Sequence, residues 1–322
     1  MRLYAAPMQG VTTHRFRALH AELFGGIDRY YTPFFSPTGE HRVTERDRRD
    51  LTPENNDLAR VVPQIMAKRP EDFLWAAELL RGMGYGEVNL NLGCPSGTVT
   101  GKGKGAGLLR DPAALAVFLE TVYNGLPDFP VSVKTRLGFR EEDEFGELLA
   151  VYNRFPIAEL TIHARVREDF YKRPVRPEAF ARALPHVKAP VCYNGDLITA
   201  ADAAAFQQRF PTVEALMLGR GLIADPALGR KLRGGPPATR EEIGEFTRRL
   251  YQGYRADYGD DNPAAQRMKE LWFFLIRLFG DNEKLDKRMR RAARPWEYQA
   301  AEAEILGSLP LLAEPVGVLE LR

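Results

Sequence analysis

Residues 87–96 read Glu-Val-Asn-Leu-Asn-Leu-Gly-Cys-Pro-Ser, an apolar run that ends abruptly in glycine, cysteine and proline. So short a run does not make a free-standing helix, and a Gly/Pro boundary marks a turn. Glu87–Leu92 therefore predicts a buried strand running into a fixed loop. Five glycines follow between Gly97 and Gly107, interleaved with Lys102 and Lys104. Asp111-Pro112 comes next, with proline where the first turn of a helix tolerates it, and the spacing predicts a helix over 112–124. The unit is strand, loop, helix.

The same unit recurs in both directions. Further strands are expected at Leu3–Met8, Arg29–Thr32, Val61–Met66, Val131–Thr135, Glu159–His163, Pro190–Asn194 and Ala215–Leu218. Helices are expected at Glu71–Met83, Glu144–Arg154, Pro177–Leu184 and Thr199–Gln208, with Thr199 as a candidate N-cap. Eight repeats over about 230 residues suit a (β/α)8 TIM barrel, typically ~250 residues long. A doubly wound open sheet has the same periodicity. The chemistry of the strand ends favours the barrel. Met8-Gln9, Gln64, Asn91, Lys134, His163, Asn194 and Gly219-Arg220 all fall at or just past a strand terminus, and a barrel converges those termini on one mouth.

The pattern breaks at Arg233-Gly-Gly-Pro-Pro237, and only helical stretches follow, at Glu241–Tyr258, Pro263–Phe279, Glu283–Arg294 and Glu297–Leu306. The expected architecture is an α/β TIM barrel over residues 1–235 with a C-terminal all-α helical domain over 236–322.

Of the 322 residues, 44% are hydrophobic and 27% charged, proportions of an ordinary globular protein. The net charge of +2 is too small to announce a nucleic-acid partner, so any such contact must be local. From Ala265 to Arg294 nine Lys/Arg face four Asp/Glu, a local excess of five. No run approaches the ~20 apolar residues of a membrane span, and the start lacks a signal-peptide pattern. A cytoplasmic location, no membrane partner and a monomer are expected. Cys94 and Cys192 lie in unlike surroundings, which argues against a disulfide framework; Cys192, in Pro-Val-Cys-Tyr-Asn-Gly, reads as core. Five scattered histidines and two distant cysteines make no metal site. Glu45–Asp50 and Glu141–Glu144 read as solvated loops.

The chemistry concentrates in residues 89–109. Gly93 and Pro95 fix Cys94 at a strand terminus, and the glycine-lysine run behind it suits a lid over a polyanion. On context alone Cys94 is either a reactive thiol or a buried small hydrophobe. The stretch Asn-Leu-Gly-Cys-Pro-Ser, the glycine-rich loop and Gly-Leu-Leu-Arg-Asp-Pro resemble the signature of tRNA-dihydrouridine synthases. Further pieces match in order: Ala-Ala-Pro-Met-Gln-Gly-Val-Thr at the start, Gln64 after Val-Val-Pro, Val-Ser-Val-Lys-Thr-Arg-Leu-Gly around Lys134, Thr-Ile-His-Ala-Arg around His163, Tyr-Asn-Gly-Asp at Asn194 and Met-Leu-Gly-Arg-Gly at Gly219.

The resemblance implies an FMN enzyme that takes electrons from NADPH and reduces the C5=C6 bond of D-loop uridines in tRNA. Hydride would pass from flavin N5 to C6, and Cys94 would protonate C5. An ordinary thiol, with a pKa of ~8.5, is mostly protonated at pH 7, as a general acid must be. By the same resemblance Pro7, Met8 and Gln9 floor the flavin, and Gln64 meets its pyrimidine edge. Lys134 stabilises the charge of its reduced form. His163, Asn194, Gly195, Asp196, Gly219 and Arg220 hold the ribityl chain and phosphate. Asn91 and Tyr171 would meet the everted uracil, and Arg267, Lys269 and Arg290 the tRNA backbone.

Two departures stand out: Ala164 where the family commonly has glycine, and Gly97 where relatives often carry lysine. The loop spacing most resembles the C-type bacterial branch. An FMN barrel acting on a free pyrimidine, dihydroorotate dehydrogenase-like, accounts for the flavin residues but not the basic tail. A non-catalytic RNA-binding barrel is the other alternative, and a protein without bound flavin would favour it.

Overall fold

The computed structural model describes residues 1–37 and 39–319. Its strands are β1 (Arg2–Ala5), β2 (Arg29–Tyr31), β3 (Val61–Val62), β4 (Gln64–Ile65), β5 (Val88–Leu92), β6 (Val131–Gly138), β7 (Leu160–Val166), β8 (Val191–Asn194) and β9 (Ala215–Leu218). They form one parallel sheet in the order β3-β2-β1-β9-β8-β7-β6-β5-β4. Its two ends, β3 and β4, are separated in the chain only by Pro63, which has no N–H to give to a ladder. Around that proline the backbone turns from one neighbour to the other. Val62 O accepts from Thr32 N at 3.1 Å, and Pro63 O accepts from Asn89 N at 2.9 Å. One interrupted strand thus closes the ring, so the eight expected strands are present and the sheet is a TIM barrel rather than an open sheet.

Alternation sorts the strands into two faces. Leu90, Val133, Ile162 and Leu216 are fully buried on the outer face. The inner face is unusually polar: Asn89, Asn91, Ser132, Lys134, Arg136, Thr161, His163 and Asn194 share one parity across β5 to β8. Beneath them Tyr4, Tyr31, Val62, Cys192, Ala215 and Met217 form a buried cluster. Cys192 is core, as expected.

Tyr4 donates to Glu159 at 2.9 Å and Tyr31 donates to its second oxygen at 3.4 Å. Burial raises the pKa of Glu159 above its usual 4.5. A raised carboxyl pKa favours the protonated fold, so this group's contribution to stability is greatest in acid and is lost as pH rises through the folded value. Glu159→Gln should therefore raise the thermal midpoint at pH 7 by about 2 °C, a gain that shrinks towards pH 4.5 in parallel melts.

The chain forms two compact units. The first comprises Met1–Pro7, Arg29–Gly195 and Phe210–Met217; the second comprises Met8–Asp28, Asp196–Arg209 and everything from Leu218 onward. In the second unit the segment after Leu232 runs without an element to Arg240, and the helices Arg240–Tyr258, Asp261–Leu275, Glu283–Arg291 and Pro295–Ser308 follow. Thr239 and Glu242 cap the first of these reciprocally, and Gly259 ends it in a left-handed conformation. These helices enclose Trp272, Phe246, Leu250 and Tyr298. The helix His14–Leu23 joins the same core through Phe16, which meets Phe246 edge-on at 5.6 Å. Among the described residues no helix is long and apolar enough to cross a membrane.

Some local expectations need correction. Glu45–Asp50 is not a loop: Glu45–Leu51 is a helix, capped by Thr44 Oγ1 accepting from Asp47 N. Its mixed charges hid the period, because only Asp47 and Leu51 are buried. Nor is Glu141–Glu144 merely solvated, since the Glu144 carboxylate accepts from Phe139 N at 2.6 Å and from Arg140 N and Glu141 N. The first strand stops at Ala5 instead of Met8, whose carbonyl accepts from both Val11 N and Thr12 N in a turn. Thr199 caps its helix as expected, accepting from Asp202 N at 3.1 Å.

Candidate active site

Within the first unit a chain of amides leads to Cys94. Asn89 donates to Ser132 Oγ at 3.0 Å, Gln64 donates to Asn89 at 2.8 Å, and Asn91 donates to Gln64 at 2.6 Å. The Asn91 carbonyl oxygen then accepts from Gly93 N at 3.0 Å and Cys94 N at 2.9 Å. From the other side Arg136 Nε donates to Gly93 O at 2.8 Å, and Cys94 O accepts from Ala106 N. Every one of these bonds to the Cys94 turn uses backbone, so the thiol is held in place without being consumed. Asn91 is the strand-end cap, and Gln64, fully enclosed, has its amide engaged on both sides.

The glycine-rich loop closes on this turn. Gly105 has φ +56°, and a Cβ there would lie 3.0 Å from Cys94 Cβ and 3.1 Å from Cys94 O. Gly105→Ala should therefore cost about 1–2 kcal/mol from the left-handed backbone alone and displace the thiol. Denaturant unfolding together with turnover checks this, turnover falling more than stability predicts. Lys104 donates to Ser36 Oγ at 2.8 Å, while Lys102 is exposed.

Lys134 is the partly exposed position of an otherwise buried β6. Its ammonium donates to Asn194 Oδ1 at 3.0 Å, and Asn194 Nδ2 donates to Met217 O. Burial, with Arg136 close by, pushes the Lys134 pKa down to about 7. Arg136 is fully enclosed and reaches the carbonyls of Val166 and Phe170 at 3.0 Å each. Among the described residues neither Lys134 nor Arg136 makes an ion pair. Burial also raises the Cys94 pKa, opposed by the Ser96 backbone and by the charges of Arg136 and Lys134.

His163 is buried and accepts from Arg165 at 3.1 Å. Tyr171 follows Phe170, whose φ of +50° turns the chain. Its ring stands 5.3 Å above the Arg136 guanidinium and 5.9 Å from the His163 ring. Gly195, at φ +144°, allows the chain past Val175, which a Cβ would approach to 2.6 Å. Pro7 is half-buried after β1. Cys94, Asn91, Gln64, Lys134, His163, Asn194 and Tyr171 thus form one contact network.

In the second unit Met8 is partly buried and Gln9 exposed. Asp196, at φ +48°, pairs with Arg220 at 2.8 Å, and Gly219 precedes the short helix Arg220–Ala224. Arg267 is held by Glu270 at 2.6 Å and Gly10 O at 3.1 Å. Lys269 donates to Ala292 O at 2.6 Å, and Arg290 to Asp286 at 2.7 Å. All three have protein partners.

Arg136 and Asn89 escaped the sequence reading. The signal for Arg136 was its place two residues after Lys134, which puts it on the same face of the strand. Among non-glycine described residues only His41, Phe170, Asp196 and Asp281 have positive φ, so Ala164 lies in ordinary backbone and no glycine is required there. A Cβ at Gly97 would meet only the tip of Arg167, 4.0 Å away.

The sequence profile described as Dihydrouridine synthase (Dus) matches residues 4–274. The chain belongs to the dihydrouridine synthase family. It is accordingly an enzyme, an oxidoreductase. It is 30% identical over 329 residues to the tRNA-dihydrouridine(16) synthase of Pseudomonas putida, spanning 95% of this chain and 98% of that one. It is also 30% identical over 312 residues to tRNA-dihydrouridine synthase B of Proteus vulgaris, 94% of each chain. These two relatives, one named for position 16 and one B-type, are equally similar. Among solved structures, morphinone reductase superposes with a TM-score of 0.52 at 14% identity, over 74% of this chain and 87% of that one. A histamine dehydrogenase from Rhizobium superposes with a TM-score of 0.57 at 11% identity, over 86% of this chain and 51% of that one. At such identities these two speak for the fold alone.

Proposed function

We propose that the chain is a tRNA-dihydrouridine synthase that binds FMN, draws electrons from NADPH and reduces the C5=C6 bond of D-loop uridines in tRNA. The observation that carries the reading is a pair of interior basic side chains, without an ion-pair partner among the described residues, beside a thiol. Lys134 and Arg136 stand in the interior with no ion pair among the described residues, and Arg136 grips the turn that bears Cys94. Buried cations are seldom left unpaired, so an anionic group fits beside them, as the N1–C2=O edge of a reduced flavin would.

When bound, FMN supplies the hydride that goes to C6 of the pyrimidine. Cys94 Sγ holds the proton for C5. Burial keeps the thiol neutral at pH 7, and the neighbouring Arg136 and Lys134 charges stabilise the thiolate left after transfer. The remaining N–H of Asn91 orients a pyrimidine carbonyl beside that proton. Tyr171, 45% exposed above Arg136, offers a ring for the everted base, whose removal from its stack costs a few kcal/mol. Pro7, His163, Asn194 and Gly195 are the first unit's flavin contacts, and Gln64, fully enclosed between Asn89 and Asn91, carries that assignment from sequence alone. Met8, Gln9, Asp196, Gly219 and Arg220 carry the same assignment from sequence alone. So do Arg267, Lys269 and Arg290 as tRNA contacts, in a helical domain over residues 236–322 that follows a barrel of residues 1–235.

The test is to incubate purified protein with FMN, NADPH and an unmodified tRNA transcript, then digest the RNA and measure dihydrouridine by mass spectrometry. Dihydrouridine at one D-loop position is expected. Its absence with flavin bound and NADPH consumed would overturn the reading.

A further inference from the structure

We infer that the helical unit carries a subsite for an unpaired RNA nucleotide, with Trp296 as the stacking surface and a basic helix face as the phosphate cradle. The inference rests on the tRNA reading above. Lys284, Lys287, Arg288 and Arg291 recur at i, i+3, i+4 and i+7 along the helix Glu283–Arg291, so they share one face. All four are exposed, while Leu285 and Met289 turn into the core. Like charges at this spacing repel one another, and a bound anion relieves the repulsion.

Protein carboxylates do little to relieve it. Arg288 pairs with Glu304, but Lys284, Lys287 and Arg291 make no ion pair among the described residues. Glu283 and Glu297 are the carboxylates on the same groove. Glu297 is taken up by accepting from Ala293 N at 2.6 Å and Arg294 N at 3.0 Å. The groove encloses about 670 Å³, and the four cations line it.

Its remaining feature is Trp296, in the first turn of the helix Pro295–Ser308 and 65% exposed. An indole left in water beside four cations matches a ligand that offers both negative charge and π faces, which is single-stranded nucleic acid. A membrane surface would call for an apolar stripe on the helix, and here the exposed face is charged. Arg267, Lys269 and Arg290 each already have a protein partner, in Glu270, Ala292 and Asp286.

The test uses the full-length protein and an unmodified tRNA transcript. Trp296→Ala should weaken binding about tenfold and abolish the tRNA-dependent quenching of indole fluorescence, and Trp296→Phe should restore most of the affinity. Lys284→Gln with Lys287→Gln should flatten the slope of log affinity against log salt by about 1.5. If the wild type binds tRNA and these variants bind alike, with unchanged salt slope and quenching, the subsite is overturned and the tRNA reading stands. If the wild type binds no tRNA, that reading itself falls. Trp296 emission that responds to phosphatidylserine vesicles but not to tRNA would also overturn the subsite.

Discussion

Cys94→Ala is expected to retain its bound flavin and to lose between about a hundredfold and ten-thousandfold in the rate of uridine reduction, the usual contribution of a positioned general acid. The fold should tolerate the change, because Asn91, Arg136 and Ala106 all hold the Cys94 turn by its backbone and none by its sulfur. Cys94→Ser should be nearly as slow, since a hydroxyl is a far weaker acid than a thiol. The NADPH half-reaction should be little altered, which separates proton donation from flavin loss. The measurement is single-turnover dihydrouridine formation with tRNA in excess, alongside the visible absorbance of the protein. Wild-type turnover by either variant would remove Cys94 from the role of proton donor.

Lys134→Met is expected to weaken flavin binding by roughly thirtyfold, about 2 kcal/mol for one charge-assisted hydrogen bond, and to remove its pH dependence. The folded pKa of Lys134 is depressed from 10.5 to about 7. Between those values the unfolded chain binds the extra proton, so the stability of the flavin-free protein should rise with pH from about 7 towards 10.5. An anionic ligand reverses the preference by favouring the ammonium, so flavin affinity should fall as pH rises through the same window. Both slopes should vanish in Lys134→Met. Titration of FMN at pH 6.5, 8 and 9.5, with thermal melts of the flavin-free protein, reads both. A lysine held only by Asn194 as a structural strut would give the stability slope but no slope in flavin affinity.

The fold was legible where local rules sufficed. The run from Glu87 into Gly93-Cys94-Pro95 predicts a strand and turn, and β5 ends at Leu92 as read. Closure was argued from the chemistry of strand ends, but its physical cause is Pro63, a single residue whose own carbonyl and that of Val62 bond in opposite directions around the ring. The helix His14–Leu23 went unread because Arg17 and His20 are buried on it beside Phe16 and Leu19, which dilutes its apolar stripe.

The site divides in the same way. Cys94, Lys134 and Asn91 sit in motifs that can be quoted. The role of Asn91 as a cap for Cys94 N, and the amide chain through Gln64 and Asn89, depend on pairing between strands that are distant in sequence. Charge counting found the basic tail but could not tell an engaged cation such as Arg290, bound to Asp286, from one such as Lys287, which makes no ion pair among the described residues.

The most direct test is to reduce the purified flavoprotein anaerobically and follow its reoxidation on mixing with unmodified tRNA, with free uridine monophosphate as comparator. Rapid reoxidation by the tRNA and almost none by the nucleotide is the predicted result. A protein that holds no flavin, or one that free nucleotide reoxidises as fast as tRNA does, would contradict it.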